Sequence, residues 1–230
     1  LSWSPLMVVL LLAGQRRETL VVLPWCLFIG QIVAWLCNRL NESAGQWMLM
    51  PIPEPLQLTF VGYLIVTAFI VSVLSIYNRS NGSSGALFNR DAWWASLAVM
   101  APICLFVVAY LLCGALLQDW LWSLIAAILA ATYIALATYS MQKQWPQEWS
   151  VWLFIAGHFG YAFAASLLFE EAGLTLAIAA QSISLAVIMR RFNLAAMDWL
   201  FKLVLVLVVA RLTLNPWLAD YPIDTHWSLW

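Results

Sequence analysis

The chain alternates between long apolar runs and short polar segments. Most of the apolar runs are continuous and have the roughly 20 residues that cross a bilayer core as a helix. Backbone groups find no water to bond in lipid, so a long spanning run of this kind is a helix rather than a barrel strand. The pattern predicts an all-α polytopic transmembrane bundle of about eight spans, at residues 1–14, 20–38, 57–77, 92–118, 120–141, 150–169, 173–189 and 194–214.

Both ends of the chain have the pattern of truncated terminal segments. Leu1–Gly14 is apolar, but as a helix it would be only about 21 Å long, less than a bilayer core. It has no basic start of the kind that a signal peptide carries. The last residues, HWSLW, begin a new apolar run. We therefore interpret residues 1–230 as a single transmembrane helical region, a fragment of a longer membrane protein.

The composition requires lipid as the solvent for much of the surface. Hydrophobic residues make up 64% of the chain and charged residues 9%, against roughly 25% charged residues in a soluble domain. Fifteen Trp residues suit a protein with many water–lipid boundaries. The net charge is −1 and no basic run exceeds two residues, which argues against nucleic acid as a partner. The expected partners are the lipid bilayer and the remaining spans of the longer chain.

Prolines and glycines punctuate this pattern. Arg39–Leu56 contains PIPEP, whose three prolines predict a loop rather than a regular helix. Asn78–Asp91 is rich in Gly and Ser and predicts a flexible turn. Pro102 lies inside the fourth predicted span and predicts a kink.

Charges in the loops sort by side of the membrane. The loops at 15–19, 78–91, 142–149 and 190–193 hold seven bases: Arg16, Arg17, Arg79, Arg90, Lys143, Arg190 and Arg191. The loops on the other side hold one base, Arg39, and seven acids: Glu42, Glu54, Asp119, Glu170, Glu171, Asp220 and Asp224. Bases stay on the cytoplasmic side of a bacterial inner membrane. The first set of loops is therefore predicted to be cytoplasmic, in a multi-pass protein of the bacterial cell membrane.

Small residues recur every three or four positions on three predicted spans. They are Ala127, Ala131 and Ala135, then Ala156, Gly160 and Ala164, and finally Ala177, Ala180 and Ser184. Such stripes let helix backbones approach closely in lipid. They indicate a packed bundle, or alternatively a sliding face of a transporter.

The last predicted span carries intramembrane charges. Asp198 and Lys202 are four residues apart on one helix face, in the favourable order of acid before base. They form either a structural ion pair or a proton or ion relay. Arg211 lies near the outer end of the same helix, where it either anchors the helix on outer acids or binds a substrate anion.

Two further polar residues are candidates for an intramembrane site. His158 lies in the middle of the sixth predicted span, where it either packs with a hydrogen bond or acts as a ligand or relay. Gln181, on the seventh span with Ser182 and Ser184, is in a position to bond to His158 or to the eighth helix.

No arrangement in the sequence indicates a nucleotide cradle, a catalytic triad or a metalloprotease helix. Two His and four scattered Cys (Cys26, Cys37, Cys104 and Cys113) do not have metal-ligand spacing. We predict no catalytic residue, no metal and no cofactor.

The last two spans resemble a known family. The helix LAIAAQSISLAVIMRRF is followed by a short turn, by DWLFKLVLVLVVARLTLNP, and by a fresh apolar start after HW. This arrangement, over about Trp152–Trp230, resembles the bacterial predicted-membrane-protein family called domain of unknown function 2339. Gln181 stands where that family commonly has an acid. The resemblance implies a longer protein with more spans. It gives no information on activity, because the function of that family is unknown.

The sequence favours a non-enzymatic integral membrane protein, acting as an envelope scaffold or a transporter-like component. The alternative is a membrane-embedded transferase for lipid-linked sugar or acyl substrates, using outer-face acids and Arg211. A small molecule or a lipid is the substrate class that either function would take.

Overall fold

The computed structural model describes residues 22–43, 46–77, 90–169, 180–187, 190, 202 and 205–206, and at 42–43, 46–47, 77 and 90–91 it describes the backbone alone. The elements in chain order are α1 (Val22–Cys37), β1 (Leu40–Ser43), β2 (Gln46–Leu49), α2 (Glu54–Tyr77), α3 (Arg90–Cys113), a 3-10 turn (Gly114–Leu116), α4 (Asp119–Gln142) and α5 (Gln147–Leu168). Residues 180–187 are also helical.

The helical class is confirmed, and within the described residues four helices are long and apolar enough to cross a membrane. These stretches are Glu54–Ile76, Ala92–Leu116, Asp119–Gln142 and Gln147–Leu168, and the apolar helix α1 is shorter. The predicted span 1–14 and nearly all of 194–214 lie outside the described residues. The count of about eight spans therefore stays a prediction.

Neighbouring helices run antiparallel, which side-chain bonds between their ends show. The Cys113 thiol at the end of α3 lies 4.0 Å from the Gln57 carbonyl near the start of α2. The Ser123 hydroxyl near the start of α4 donates to the Ala164 carbonyl near the end of α5, at 2.8 Å. We call the end of the bundle where α1 and α3 finish and α2 and α4 begin the hairpin end, and the other the opposite end.

α3 is the central helix. One face, with Trp94, Leu105 and Leu112, packs in a core that includes α1 and α2. Another face, with Ala95 and Val99, packs in a second core with α4, α5 and Leu185. Because both cores use α3, it positions every other described helix.

The segment Arg39–Leu56, predicted as a loop, contains two short strands and ends earlier than predicted, because the next helix begins at Glu54. Residues 40–43 and 46–49 pair as a two-stranded antiparallel hairpin, with Leu40 opposite Leu49 and Asn41 opposite Met48. α2 then begins at Glu54, inside the predicted loop. A proline in the first helical turn loses no intrahelical bond, so Pro55 is tolerated there, and only Pro51 and Pro53 keep the backbone out of a helix.

The prediction of close packing through small residues is confirmed for α5 and wrong in register for α4. Ala156, Gly160 and Ala164 are buried. In α4 the buried alanines are Ala126, Ala130 and Ala137, whereas Ala131 and Ala135 are exposed. Alanines occur all around α4, so their spacing does not identify the packed face.

The turn after α4 closes that helix without glycine. Gln144 has φ 53°, its N–H bonds the Met141 carbonyl at 3.1 Å, and the Trp145 N–H bonds the Ser140 carbonyl at 2.9 Å. This pair of bonds is a Schellman motif with Gln in the left-handed position. It satisfies terminal carbonyls of α4 and directs the chain into α5.

Candidate functional site

A cavity of about 260 Å³ lies at the hairpin end, between α1, the segment after the hairpin, and the first turns of α2. It is lined by Trp35, Asn38, Arg39, Ile52, Leu56, Thr59, Phe60, Tyr63 and Leu112. We call it the Arg39 cavity. Its volume is several times the roughly 30 Å³ that one water occupies in the liquid, so it has room for a small chemical group.

Aromatic rings form one wall of the Arg39 cavity. The Trp35 ring of α1 meets the Phe60 ring edge-on, with centroids 5.6 Å apart. It meets the Tyr63 ring in the same way at 5.8 Å. Phe60 and Tyr63 are three residues apart on α2, so both rings face α1. Edge-to-face pairs of this kind hold α1 against α2 and leave an apolar surface inside the cavity.

Asn38 and Arg39 supply polar groups at the point where the chain leaves α1. The Arg39 N–H donates to the Leu36 carbonyl at 3.0 Å, and the Arg39 carbonyl accepts the Met50 N–H at 2.8 Å. Its backbone is thus held from both sides. Arg39 as a whole is half-buried, and among the described side chains none forms a hydrogen bond or an ion pair with its guanidinium group.

Ile52 closes the cavity from the side of the prolines. Its N–H donates to the Leu112 carbonyl of α3 at 2.8 Å. Its carbonyl accepts the Gln57 side-chain amide at 2.8 Å, and Gln57 is 2% exposed. Both backbone groups of Ile52 are therefore paired, and the segment between hairpin and α2 is fastened to two helices.

A second cavity, of about 380 Å³, lies on another face of α2 against α3 and α4. Its walls include Leu64, Ala68, Pro102, Phe106 and Ile125, and they are almost wholly apolar. It lacks the polar rim that distinguishes the Arg39 cavity.

The structure brings together the two predicted residues His158 and Gln181. Gln181 donates its amide to the backbone carbonyl of His158 at 2.6 Å, and both residues are buried, at 5% and 6% exposure. The predicted contact exists, but it uses the backbone of His158 instead of its ring. The ring Nε2 has no hydrogen-bond partner within the described part of the chain.

The model of the family described as "Predicted membrane protein (DUF2339)" matches residues 2–230. The chain belongs to the DUF2339 family. No curated protein and no solved structure matches it significantly, so no activity transfers to this DUF2339 chain from a relative.

Most of the charged residues that the sequence suggested as site residues near the end of the chain lie outside the described part of the structure. Asp198 and Arg211 lie outside the described residues, as do Glu170 and Glu171, on which the transferase alternative depends. Lys202 is helical and exposed. The Asp198–Lys202 pair thus remains a prediction.

Three polar residues of this DUF2339 chain are important in the structure and were not singled out from its sequence. From the sequence, Arg39 was interpreted only as a loop charge. Its position as the single base among the acid-rich loops could have identified it as a candidate binding residue. Gln57 lies two residues after the last of three prolines, at the start of an apolar run, which indicates that its amide could bond the preceding loop. Glu148, assigned to a loop, is 5% exposed in the first turn of α5, where an acid complements the helix dipole.

No group of three or more His, Cys, Asp or Glu side chains is placed to hold a metal ion in the part of the chain that the structure describes. The chemistry that the Arg39 cavity offers is binding, through apolar contact and hydrogen bonding.

Proposed function

We propose that this DUF2339 chain is a non-enzymatic, transporter-like integral membrane component that binds an amphiphilic molecule in the Arg39 cavity. The observation that carries the proposal is the composition of that cavity, an aromatic wall below a polar rim at the ends of the helices. A molecule with one polar end and one apolar end satisfies both surfaces. The free-energy cost of removing water from such a ligand is small, because its polar end exchanges water for hydrogen-bond donors of the protein.

The packing around the cavity supports a binding role. α4 and α5 approach closely through small residues, with the position of a Cβ on Gly157 only 3.2 Å from the Ala130 carbonyl. α2, in contrast, is mostly exposed to its surroundings and has a cavity on each of two faces. The bundle thus combines a tightly packed side with a side that contains space, which suits uptake of a ligand from the bilayer.

Sidedness is part of the proposal. The structure groups the hairpin and Gln118 at one end of the bundle, and the turn at Lys143 and Gln144 at the other. The seven-to-one distribution of bases over the loops supports a cytoplasmic location for the turn and an outer location for the hairpin. We propose that the Arg39 cavity faces the outer leaflet of a bacterial cell membrane, in a protein with about eight spans in this region.

The proposal is tested by filling the cavity. Leu56 lines it and is 54% exposed, so Leu56→Trp adds a large ring without disturbing the core. The matched control is Leu58→Trp, two residues along α2 on a side chain that is 72% exposed and does not line the cavity. Binding is measured with the intact protein in nanodiscs, by native mass spectrometry of bound lipid and by crosslinking to a photoreactive phospholipid.

We expect Leu56→Trp to lower specific crosslinking by about tenfold, equivalent to about 1.4 kcal/mol of binding free energy, and Leu58→Trp to leave it unchanged. Equal crosslinking in the wild type and both variants would rule out ligand binding in this cavity.

A further inference from the structure

The polar groups of the Arg39 cavity differ in kind from the rest of the hairpin end. Among the described residues, four polar ones line the cavity, namely Asn38, Arg39, Thr59 and Tyr63, and none of those lining residues is a carboxylate. Every one of these side chains can donate a hydrogen bond, and one of them carries a full positive charge. Outside the cavity, the described charges at this end include the acids Glu54 and Asp119.

This contrast has a consequence for the charge of the ligand. An acidic surface attracts cations, whereas a cavity with a guanidinium and neutral donors stabilises an anion. On the side of the membrane where loops otherwise carry acids, the single base of those loops lines the cavity. The arrangement selects for negative charge at one point.

The geometry of the arginine side chain favours a phosphate over other anions. Its guanidinium presents a planar fork of N–H groups that matches two oxygens of a phosphate, and this fork is less hydrated than an ammonium. The two backbone bonds of Arg39 described above fix the base of the side chain, so less conformational entropy is lost when the fork binds. Asn38 is its neighbour in sequence and adds a neutral donor on the same rim.

The depth of the apolar wall identifies the source of the anion. Arg39 follows the end of α1 by two residues, at the level of the helix ends. Phe60 and Tyr63 lie six and nine residues past Glu54, which is about 9 and 14 Å along α2 at about 1.5 Å per residue. The wall therefore continues from the membrane surface into the hydrocarbon region. A free phosphate would leave it uncovered, whereas a lipid chain would cover it.

We infer that the Arg39 cavity binds an anionic phospholipid, with the phosphate on Arg39 and Asn38 and the first part of the chain against Trp35, Phe60 and Tyr63. This inference rests on the proposed function and names its ligand class. The head group is held by charge-assisted hydrogen bonds, and the chain by burial of apolar surface.

The test compares two lipids in the intact protein. Nanodiscs are prepared from phosphatidylcholine with a minor fraction of phosphatidylglycerol, and the ratio of the two lipids retained on the protein is measured by native mass spectrometry. We expect the wild type to enrich phosphatidylglycerol by about tenfold over the bulk ratio, the effect of one charge-assisted contact. Arg39→Gln should abolish the enrichment while phosphatidylcholine remains bound. Arg39→Lys should retain part of it, because the charge stays and the fork is lost.

The control is Lys143→Gln, which removes an exposed base at the opposite end of the bundle. It should leave the enrichment unchanged. Inorganic phosphate, added at a concentration far above that of the lipid, should not displace phosphatidylglycerol, since it cannot cover the aromatic wall.

The outcomes separate the two proposals. No enrichment in the wild type, enrichment that survives Arg39→Gln, or displacement by inorganic phosphate would each overturn the inference. The proposed function would still stand if Leu56→Trp reduces binding of both lipids, and it fails if Leu56→Trp changes neither.

Discussion

The hydroxyl of Ser72 in α2 donates a 2.8 Å hydrogen bond to the carbonyl of Ala98 in α3. In a regular helix that carbonyl would accept the N–H of residue 102, but residue 102 is a proline inside α3 and has no N–H. One helix thus supplies the donor that its neighbour lacks. The next carbonyl, of Val99, accepts the Tyr133 hydroxyl of α4 at 3.1 Å. In lipid, where water cannot satisfy a free carbonyl, these bonds make a proline in the central helix tolerable.

Removing the Ser72 hydroxyl should therefore destabilise the protein in a way that depends on Pro102. We expect Ser72→Ala to lower the free energy of unfolding by about 1 kcal/mol, the usual size of an interhelical bond in a membrane protein. In a Pro102→Ala background the helix regains its own donor, and Ser72→Ala should then cost much less. Unfolding in mixed detergent micelles measures the four free energies of this cycle. The control Ser166→Ala, which removes an exposed hydroxyl bonded within its own helix, should have little effect, and equal costs of Ser72→Ala in both backgrounds would contradict the account.

Gly157 determines how closely α4 and α5 pack. A Cβ added there would lie 2.7 Å from a side-chain carbon of Ile134 and 3.2 Å from the Ala130 carbonyl, so the helices would have to separate. We expect Gly157→Ala to reduce the free energy of unfolding by about 1–3 kcal/mol. Gly62→Ala is the matched control, because a Cβ at that position on α2 meets nothing within 4 Å. Since alanine favours a helix over glycine, a loss of stability at residue 62 equal to that at 157 would exclude crowding as the cause.

Gln57 holds the segment after the hairpin in place. Gln57→Leu keeps the volume of the side chain and removes the amide that bonds the Ile52 carbonyl. We expect a loss of about 1–2 kcal/mol, because a buried acceptor loses its donor. Hydrogen exchange should also become faster at the Ile52 amide, which bonds Leu112. Gln118→Leu changes an exposed glutamine at the same end and should leave exchange at Ile52 as it is in the wild type.

The orientation of the bundle can be measured with single cysteines. In a variant without the four native cysteines, Met50→Cys is placed next to the hairpin and Gln144→Cys in the turn at the opposite end; both positions are exposed. We expect a membrane-impermeant maleimide, added to intact cells, to label residue 50 and not residue 144, following the distribution of bases. Permeabilised cells provide the control, in which both should react. The reverse pattern in intact cells would invert the assignment, and labelling of both would mean that the two ends are not separated by a membrane.

The predicted ion pair between Asp198 and Lys202 can be tested by mutation, without a distance between the two side chains. Each single change, Asp198→Asn or Lys202→Met, leaves one charge in an apolar segment, so each should destabilise the protein. The double change removes both charges and should restore stability if the pair is structural. A well-folded double variant that has lost ligand transport would instead identify the pair as a relay.

The sequence predicted the helices well because each lies in an apolar run whose length and continuity the membrane dictates. Pro102 was also recognised as a disturbance in its helix. The sequence could not predict that the Ser72 hydroxyl replaces the N–H donor that Pro102 lacks. That hydrogen bond depends on the relative rotation and depth of α2 and α3, which no local pattern encodes.

The candidate site was less predictable from the sequence than the fold. The Arg39 cavity is assembled from α1, the hairpin segment, α2 and the last turn of α3, so its residues are separated by up to about 80 positions along the chain. Arg39 alone was visible, as a loop charge. The sequence left Gln181 with two possible partners, His158 and the eighth helix, and the structure shows a bond to His158. Whether the ring or the carbonyl of His158 accepts that bond depends on atomic geometry, which the sequence does not give.

The hydrogen bond between the Ile52 N–H and the Leu112 carbonyl also determines when the Arg39 cavity can be completed during biosynthesis. A chain emerging from the ribosome presents α1, the hairpin and α2 well before the final turn of α3. Until that turn has been inserted, Leu112 cannot accept the Ile52 amide, and the wall that it contributes to the Arg39 cavity is missing. A nascent chain halted before residue 112 should therefore carry the arginine and the aromatic rings without a completed site, and the ligand binding that we propose would begin only after the central helix has been inserted.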